Sequence, residues 1–197
     1  MKREDQNQTL EAISGRATGV LFFAGFGALW LCTGLSALHR LTLAACVFAV
    51  AAPVVSLVIP ALLLLWRVPS IPLEAQDEER NRQYRRTFGR INGIQWTAII
   101  LAVILLNIFH QVAYIVPTIA TIVGLHLFPL ARLFQYPAHF VTGTLLVLWS
   151  VGTATLLSSQ NIAGFGAVGT AIILLLSAAY TLVSATRAAS SLQTTKI

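Results

Sequence analysis

Six polar side chains within or beside long apolar stretches are the best candidates for ligand binding: Asn92, Asn107, His126, Arg132, Tyr136 and His139. Such side chains are costly in a membrane and mark binding sites or ion pathways there. Imidazole and guanidinium groups suit an anionic or polar small molecule. Histidine also suits a proton-responsive gate, because its unperturbed pKa is about 6.5. Alternatively, these groups satisfy helix ends and one another, with Arg132 reaching lipid headgroups.

Acidic side chains, which most metal sites and hydrolases need, are missing from the apolar stretches, since every Asp or Glu lies before Ala12 or between Glu74 and Glu79. A metal site usually places a carboxylate or cysteine beside its histidines, so no metal is expected. Hydrolysis lacks a carboxylate to orient a histidine base, although a Ser–His dyad stays open. The sequence therefore does not predict an enzyme, and it disfavours ion coupling through an intramembrane carboxylate.

The four histidines also allow a haem hypothesis. His39 and His110 end apolar stretches, as His126 and His139 lie near the ends of others. Two such pairs could ligate two haems, as in a di-haem membrane cytochrome. Interfacial histidines are the simpler interpretation, because no further haem-binding signal accompanies them. No cofactor is expected, and a haem-binding redox protein is the least favoured function.

Composition indicates that lipid surrounds most of the chain. Hydrophobic residues make up 56% and charged residues 10% of 197 residues, and the mean hydropathy is +0.77. A soluble domain carries roughly 25% charged residues. The net charge of +6 does not predict nucleic-acid binding, because the basic residues flank apolar runs, where they orient membrane proteins. A cleavable signal peptide is not expected, because the first apolar run is too long for one.

Windows of about 20 apolar residues, enough to cross a bilayer as a helix, predict six transmembrane spans. The fold class expected is an all-α polytopic bundle forming a single membrane domain over residues 1–197. In the fifth span, four polar residues share one narrow arc of the helix: His139, Thr142, Ser150 and Thr153. The spans lie at about residues 17–38, 41–66, 94–109, 112–133, 138–157 and 162–184.

Basic residues predict the orientation of the bundle. With the amino terminus inside, twelve of the thirteen Lys and Arg residues fall on inner segments, and Arg40 alone falls outside. Both termini are then cytoplasmic. His126, Arg132, Tyr136 and His139 would cluster near the cytoplasmic side, with Asn92 at similar depth. Asn107 lies deeper in the third span and is expected to form an interhelical hydrogen bond.

The loop at residues 67–92 holds a cluster of arginines. Glu74 to Arg86 predicts a polar helix, since its acidic residues come early and its arginines late, as the helix dipole favours. It is either a solvated linker or a surface for anionic lipid headgroups. The arginines expected to contact headgroups are Arg80, Arg82, Arg85 and Arg86.

Gly164, Gly166 and Gly169 match the G-x-G-x-x-G pattern. A dinucleotide site would require a preceding strand and a soluble crossover unit. Here the glycines open a transmembrane helix. They are expected to permit close helix packing instead.

The stretch from Gly124 to Phe134, with Tyr136, Pro137 and the Thr142–Gly143 pair, resembles a pattern in small bacterial membrane proteins of unknown function. The stretch itself reads GLHLFPLARLF. This resemblance implies a multi-pass protein of the bacterial cytoplasmic membrane. It implies no activity.

Three functions follow as hypotheses. The leading one is a small transporter or channel-like protein whose polar site lies between spans three, four and five. The alternative is a non-catalytic membrane partner or regulatory subunit that uses the arginine-rich loop, and the haem protein is third. The expected partners are the bilayer and anionic lipid headgroups. A homo-oligomer stays open.

Overall fold

The computed structural model describes residues 3–67 and 75–194, with side chains for residues 9–67 and 82–191. All regular secondary structure in these ranges is helical, which confirms the all-α class. The α-helices are α1 Arg3–Ala37, α2 Leu43–Pro53, α3 Ile59–Arg67, α4 Ala75–Ile108, α5 Ile115–Leu133, α6 Ala138–Leu156 and α7 Ser159–Thr194.

Six segments in the described ranges are long and apolar enough to cross a membrane, as the sequence predicts. Large hydrophobic side chains cover their outer surfaces; Leu43, Trp66 and Leu156 are each more than 80% exposed. Such a surface suits lipid rather than water. The segments are Thr9–Ala37, Leu43–Arg67, Arg82–Ile108, Val112–Leu133, Ala138–Leu156 and Ser159–Ser191.

The third segment differs from the prediction of a polar loop helix followed by a separate span beginning at Ile94. α4 runs without a break for 34 residues. No proline interrupts it, and Gly89 and Gly93 cost only about 1 kcal/mol each in a helix interior. At 1.5 Å per residue, α4 is about 51 Å long and exceeds a hydrocarbon core of roughly 30 Å. Its arginine-rich first half is therefore continuous with the span.

The second segment contains a wider turn between two prolines. Val54–Val58 forms a π-helical turn, and the N–H of Ile59 donates to the carbonyl of Val54, five residues back. Pro60 has no N–H to offer the carbonyl of Ser56, which interrupts the α-helical ladder. The hydroxyl of Ser56 donates to the carbonyl of Ala52 at 2.6 Å.

Three helices end on a residue with positive φ that is not glycine: His39 (53°), His110 (56°) and Gln135 (50°). After each one, the next N–H reaches back five residues, as from Gln111 to the carbonyl of Leu106 at 2.7 Å. These are Schellman ends, which satisfy carbonyls left over at a helix terminus. Histidine visits this conformation more readily than most residues. His39 and His110 therefore have a structural role that requires no ligand.

The described residues form two compact units. The first comprises the described parts of Met1–Leu29, Thr42–Pro72 and Leu174–Ile197. Its core brings together α1, α3 and α7 through four buried side chains, with Leu65, Ala188 and Ala189 packed against them. The four are Ile13, Ala17, Leu64 and Ala185.

The second unit comprises Trp30–Leu41 and the described part of Leu73–Ile173. α5 packs against α6 over its length, and α4 packs against α5. The expected glycine packing is confirmed on α7: a Cβ at Gly164 would lie 2.5 Å from Leu38, and one at Gly169 would meet the Trp149 ring. The indole N–H of Trp149 also donates to the carbonyl of Gly166 at 3.3 Å.

The helix-ending conformation at Gln135 gives a test. Gln135→Gly should raise the free energy of unfolding by about 1 kcal/mol, because a left-handed backbone strains any residue with a Cβ. Gln83→Gly, at an exposed position inside α4, should lower it by a similar amount. Thermal unfolding of the detergent-solubilised protein measures both. A loss of stability at both positions would contradict a left-handed Gln135.

Candidate functional site

The candidate site lies where α4, α5 and α6 meet in the second unit, and a glycine contact sets its geometry. A Cβ at Gly124 would lie 2.8 Å from the carbonyl oxygen of Gly143, and a Cβ at Gly143 would lie 2.6 Å from that of Gly124. Both glycines are buried. The backbones of α5 and α6 therefore touch, and larger residues at either position would force the helices apart.

His126 and His139 lie on the same side of this contact. His126 follows Gly124 by two residues on α5, and His139 precedes Gly143 by four residues on the antiparallel α6. One turn away, the Phe128 and Phe140 rings stack with centroids 6.0 Å apart. The two imidazoles are close enough to interact electrostatically. The glycine contact thus brings together two histidines that are 13 positions apart in sequence.

α4 closes this cluster from a second direction. The imidazole of His126 lies within hydrogen-bonding reach of the main chain of Ile91. Phe88, also on α4, packs against Phe134 with centroids 5.9 Å apart. Since Phe134 follows directly after α5, these two contacts fix α4 beside the end of α5.

His139 has an aromatic environment. The Tyr136 ring meets it edge-on, with centroids 5.1 Å apart and planes 88° apart. The Phe134 ring lies at 6.4 Å in a similar edge-on arrangement. Edge-to-face pairs of this kind add about 0.5–1.5 kcal/mol beyond their burial. The histidine is thereby held in one orientation at the start of α6.

An open groove of about 470 Å³ lies on the surface of α4 and α5 beside this cluster. Its floor is apolar apart from Arg132 and the Thr87 hydroxyl, and Arg132 is exposed. Guanidinium groups stay charged and donate hydrogen bonds in pairs to phosphate or carboxylate. The groove thus combines an apolar surface with a fixed cation. Its lining consists of Thr87, Ile91, Phe128, Pro129, Arg132 and Leu133.

The structure brings four predicted site residues to one end of the second unit: His126, Arg132, Tyr136 and His139. Asn92 is half-buried on α4 and adjoins Ile91 in the chain. Asn107 is not part of this cluster, because it lies sixteen residues after Ile91 in α4, which is about 24 Å along the helix axis.

Asn107 also differs from the expected interhelical hydrogen bond. Its amide donates to the carbonyl of Val103, one turn earlier in α4, at 2.8 Å. The side chain is exposed. Its hydrogen bond is therefore made to a carbonyl of its own helix and not to a neighbouring helix.

The arginines expected at lipid headgroups lie along the first half of α4. Arg82, Arg85 and Arg86 are exposed. Arg80 is helical, but its side chain lies outside the described residues. Among the described side chains, no group of three His, Cys, Asp or Glu residues could hold a metal ion.

The groove residues on α4 were missed by sequence reasoning. Thr87 and Ile91 are four residues apart and so share one helix face, but this pattern is common in any apolar helix.

In contrast, the polar arc predicted for the fifth span is confirmed in part, because Thr142, Ser150 and Thr153 are all buried.

Comparison with protein families, with characterised proteins and with solved structures returned no match.

The glycine contact predicts position-dependent effects within one helix. Gly143→Ala should lower the free energy of unfolding by about 1–3 kcal/mol, the usual cost of overpacking. Gly152→Ala, in the same helix with nothing within 4 Å of the new methyl group, should be neutral or stabilising. Chemical or thermal unfolding in detergent measures both. Equal effects at the two positions would contradict the contact between α5 and α6.

Proposed function

We propose that this chain is a six-span membrane protein that binds an anionic phospholipid in the groove between α4 and α5. The observation that supports the proposal is the arrangement of the groove, in which an exposed arginine stands at the edge of an apolar floor. The headgroup phosphate meets the Arg132 guanidinium and the Thr87 hydroxyl. The acyl chain lies over Ile91, Phe128 and Leu133.

The electrostatics of the chain favour an anion at this position. Twelve of thirteen basic residues fall on the inner side if the amino terminus is cytoplasmic. Arg132 is then at the cytoplasmic interface, where anionic lipids attract basic groups by about 1 kcal/mol each. No carboxylate of the sequence after Glu79 competes for it.

The proposal differs from the hypothesis of a polar site between spans three, four and five, because residues of spans three and four alone line the groove and Arg132 is the one predicted contact among them. The groove is not lined by His126, His139 or Tyr136. These side chains pack beside it and hold α5 and α6 in place. A transporter would add movement of the ligand to this binding step. Asn107 has no role in it because of its distance along α4.

Binding of a charged phosphate to Arg132 is testable by native mass spectrometry. Arg132→Gln should weaken the binding of phosphatidylglycerol by about ten- to hundredfold, since a charge-assisted hydrogen bond contributes about 1.5–3 kcal/mol. Arg187→Gln, which neutralises an exposed arginine on α7, is the matched control. Phosphatidylcholine, whose choline cation offsets its phosphate charge, should bind the original protein more weakly and lose less affinity on Arg132→Gln.

The result that would refute the proposal is clear. If Arg132→Gln and Arg187→Gln retained the same affinity for phosphatidylglycerol, the groove would not select its headgroup. Phe128→Ala provides a second measurement, because it removes groove floor without changing charge. It should weaken phosphatidylglycerol and phosphatidylcholine alike.

A membrane partner or regulatory subunit is the second candidate, favoured by the exposure of Arg82, Arg85 and Arg86 on the extended first half of α4. Neutralising these three together should abolish association with a partner while leaving phosphatidylglycerol on Arg132. Co-purification and native mass spectrometry separate the two outcomes. A Soret band in the purified protein would instead favour the haem hypothesis.

A further inference from the structure

Hydroxyl groups in these helices usually donate to a carbonyl three or four residues earlier. The Thr142 hydroxyl donates to Ala138 at 3.0 Å, and that of Thr155 donates to Val151 at 2.9 Å. This bond satisfies a hydroxyl where lipid offers no partner. Ser150 and Thr170 are exceptions: each is 1% exposed, and neither hydroxyl has a hydrogen-bond partner among the described protein atoms.

The two hydroxyls lie at the same level of the interface between α6 and α7. These helices are antiparallel, because only Leu157 and Ser158 connect them. The Trp149 ring packs on Gly169, and the Thr153 hydroxyl faces Gly166 one turn away, 3.6 Å from where its Cβ would be. Ser150 precedes Thr153 by three residues and Thr170 follows Gly166 by four. Both side chains therefore point into the same turn of the interface.

Trp149 occupies one of the two carbonyls that the Thr170 hydroxyl could use on its own helix. The carbonyl four residues before Thr170 is that of Gly166, which already accepts the indole N–H of Trp149 at 3.3 Å. The helical N–H of Thr170 takes the other lone pair of that carbonyl, since a carbonyl oxygen has two. Only the carbonyl of Ala167, three residues earlier, is left to the Thr170 hydroxyl on α7, and the hydroxyl does not bond it.

A small residue of α5 lies at the same level as these hydroxyls. Val116 of α5 lies 3.3 Å from a Cβ built at Gly166, and α5 runs parallel to α7. One turn further along both helices, the buried Ala120 reaches the level of Thr170.

We propose that a water molecule is bound in this layer and bridges the Ser150 and Thr170 hydroxyls. A buried hydroxyl without a partner costs free energy comparable to a lost hydrogen bond, and two such hydroxyls lie at about the same level of the helices here. A water between polar groups satisfies both and costs little in immobilisation entropy. The layer of Ala120, Ser150 and Thr170 is therefore a hydrated point inside the apolar second unit, separate from the lipid groove.

A double-mutant cycle on thermal unfolding tests this site. Thr170→Val and Ser150→Ala should each lower Tm by about 2–4 °C, since each leaves the bridging water with one bond fewer. The double variant should lose less than the sum, because the water is then absent. If each substitution raised Tm and the effects added, the hydroxyls would be unsatisfied and the proposal wrong.

Trp149→Phe provides a second, independent test of the site. It frees the Gly166 carbonyl, so the Thr170 hydroxyl can return to its own backbone. In this background, Thr170→Val should behave like Thr142→Val, the control at a buried, locally bonded threonine, and its coupling to Ser150→Ala should vanish. Unchanged coupling would overturn the explanation.

A high-resolution density map of the protein would show what lies between the Ser150 and Thr170 hydroxyls. Density within about 2.6–3.2 Å of both hydroxyl oxygens supports a water. Direct contact between the two hydroxyls would overturn the proposal.

Discussion

The structure depends on one constraint: a chain in lipid must satisfy its own backbone hydrogen bonds. Helices satisfy the interior of each segment, but the ends and interruptions need other solutions. The positive-φ residues His39, His110 and Gln135 close three helix ends on themselves. The Ser56 hydroxyl bonds the carbonyl of Ala52 beside the π-helical turn. Polar side chains thus act mainly on the backbone, and those that do not, such as Arg132 and Thr170, are the exceptions from which binding can be inferred.

Close backbone approach then determines where side chains meet. The mutual contact of Gly124 and Gly143 allows α5 and α6 to touch, and the histidines beside it come together as a result. The same principle operates on α7, where Gly169 admits the Trp149 ring. Without a strong hydrophobic force between helices in lipid, such van der Waals packing is a main source of association. The geometry of the candidate site therefore depends on Gly124 and Gly143 as well as on its polar residues.

Much of the fold was predictable from the sequence, because the number of apolar segments follows from hydropathy alone. The clustering of His126, Tyr136 and His139 was also predictable, since short turns place neighbouring helix ends side by side. The continuity of α4 was not: the sequence predicts a polar helix ending at Arg86 and a separate span beginning at Ile94, although no proline between them breaks the helix. Nor was the local bond of Asn107, since an amide can bond within or between helices. The groove floor at Ile91 and Phe128 had no signal, because apolar residues in a span look alike until their neighbours are known.

The π-helical turn at Val54–Val58 has a consequence for the phase of its segment. Buried residues there recur every four positions, at Ala49, Pro53, Leu57 and Ala61. In a regular α-helix each such step advances about 40° around the axis, so the stripe would drift towards lipid. A wider turn absorbs part of that drift, and the stripe remains on one side. The extra residue thus keeps the two halves of the segment in register: removing one residue from the turn would rotate Leu64 and the rest of α3 by about 100° about the helix axis.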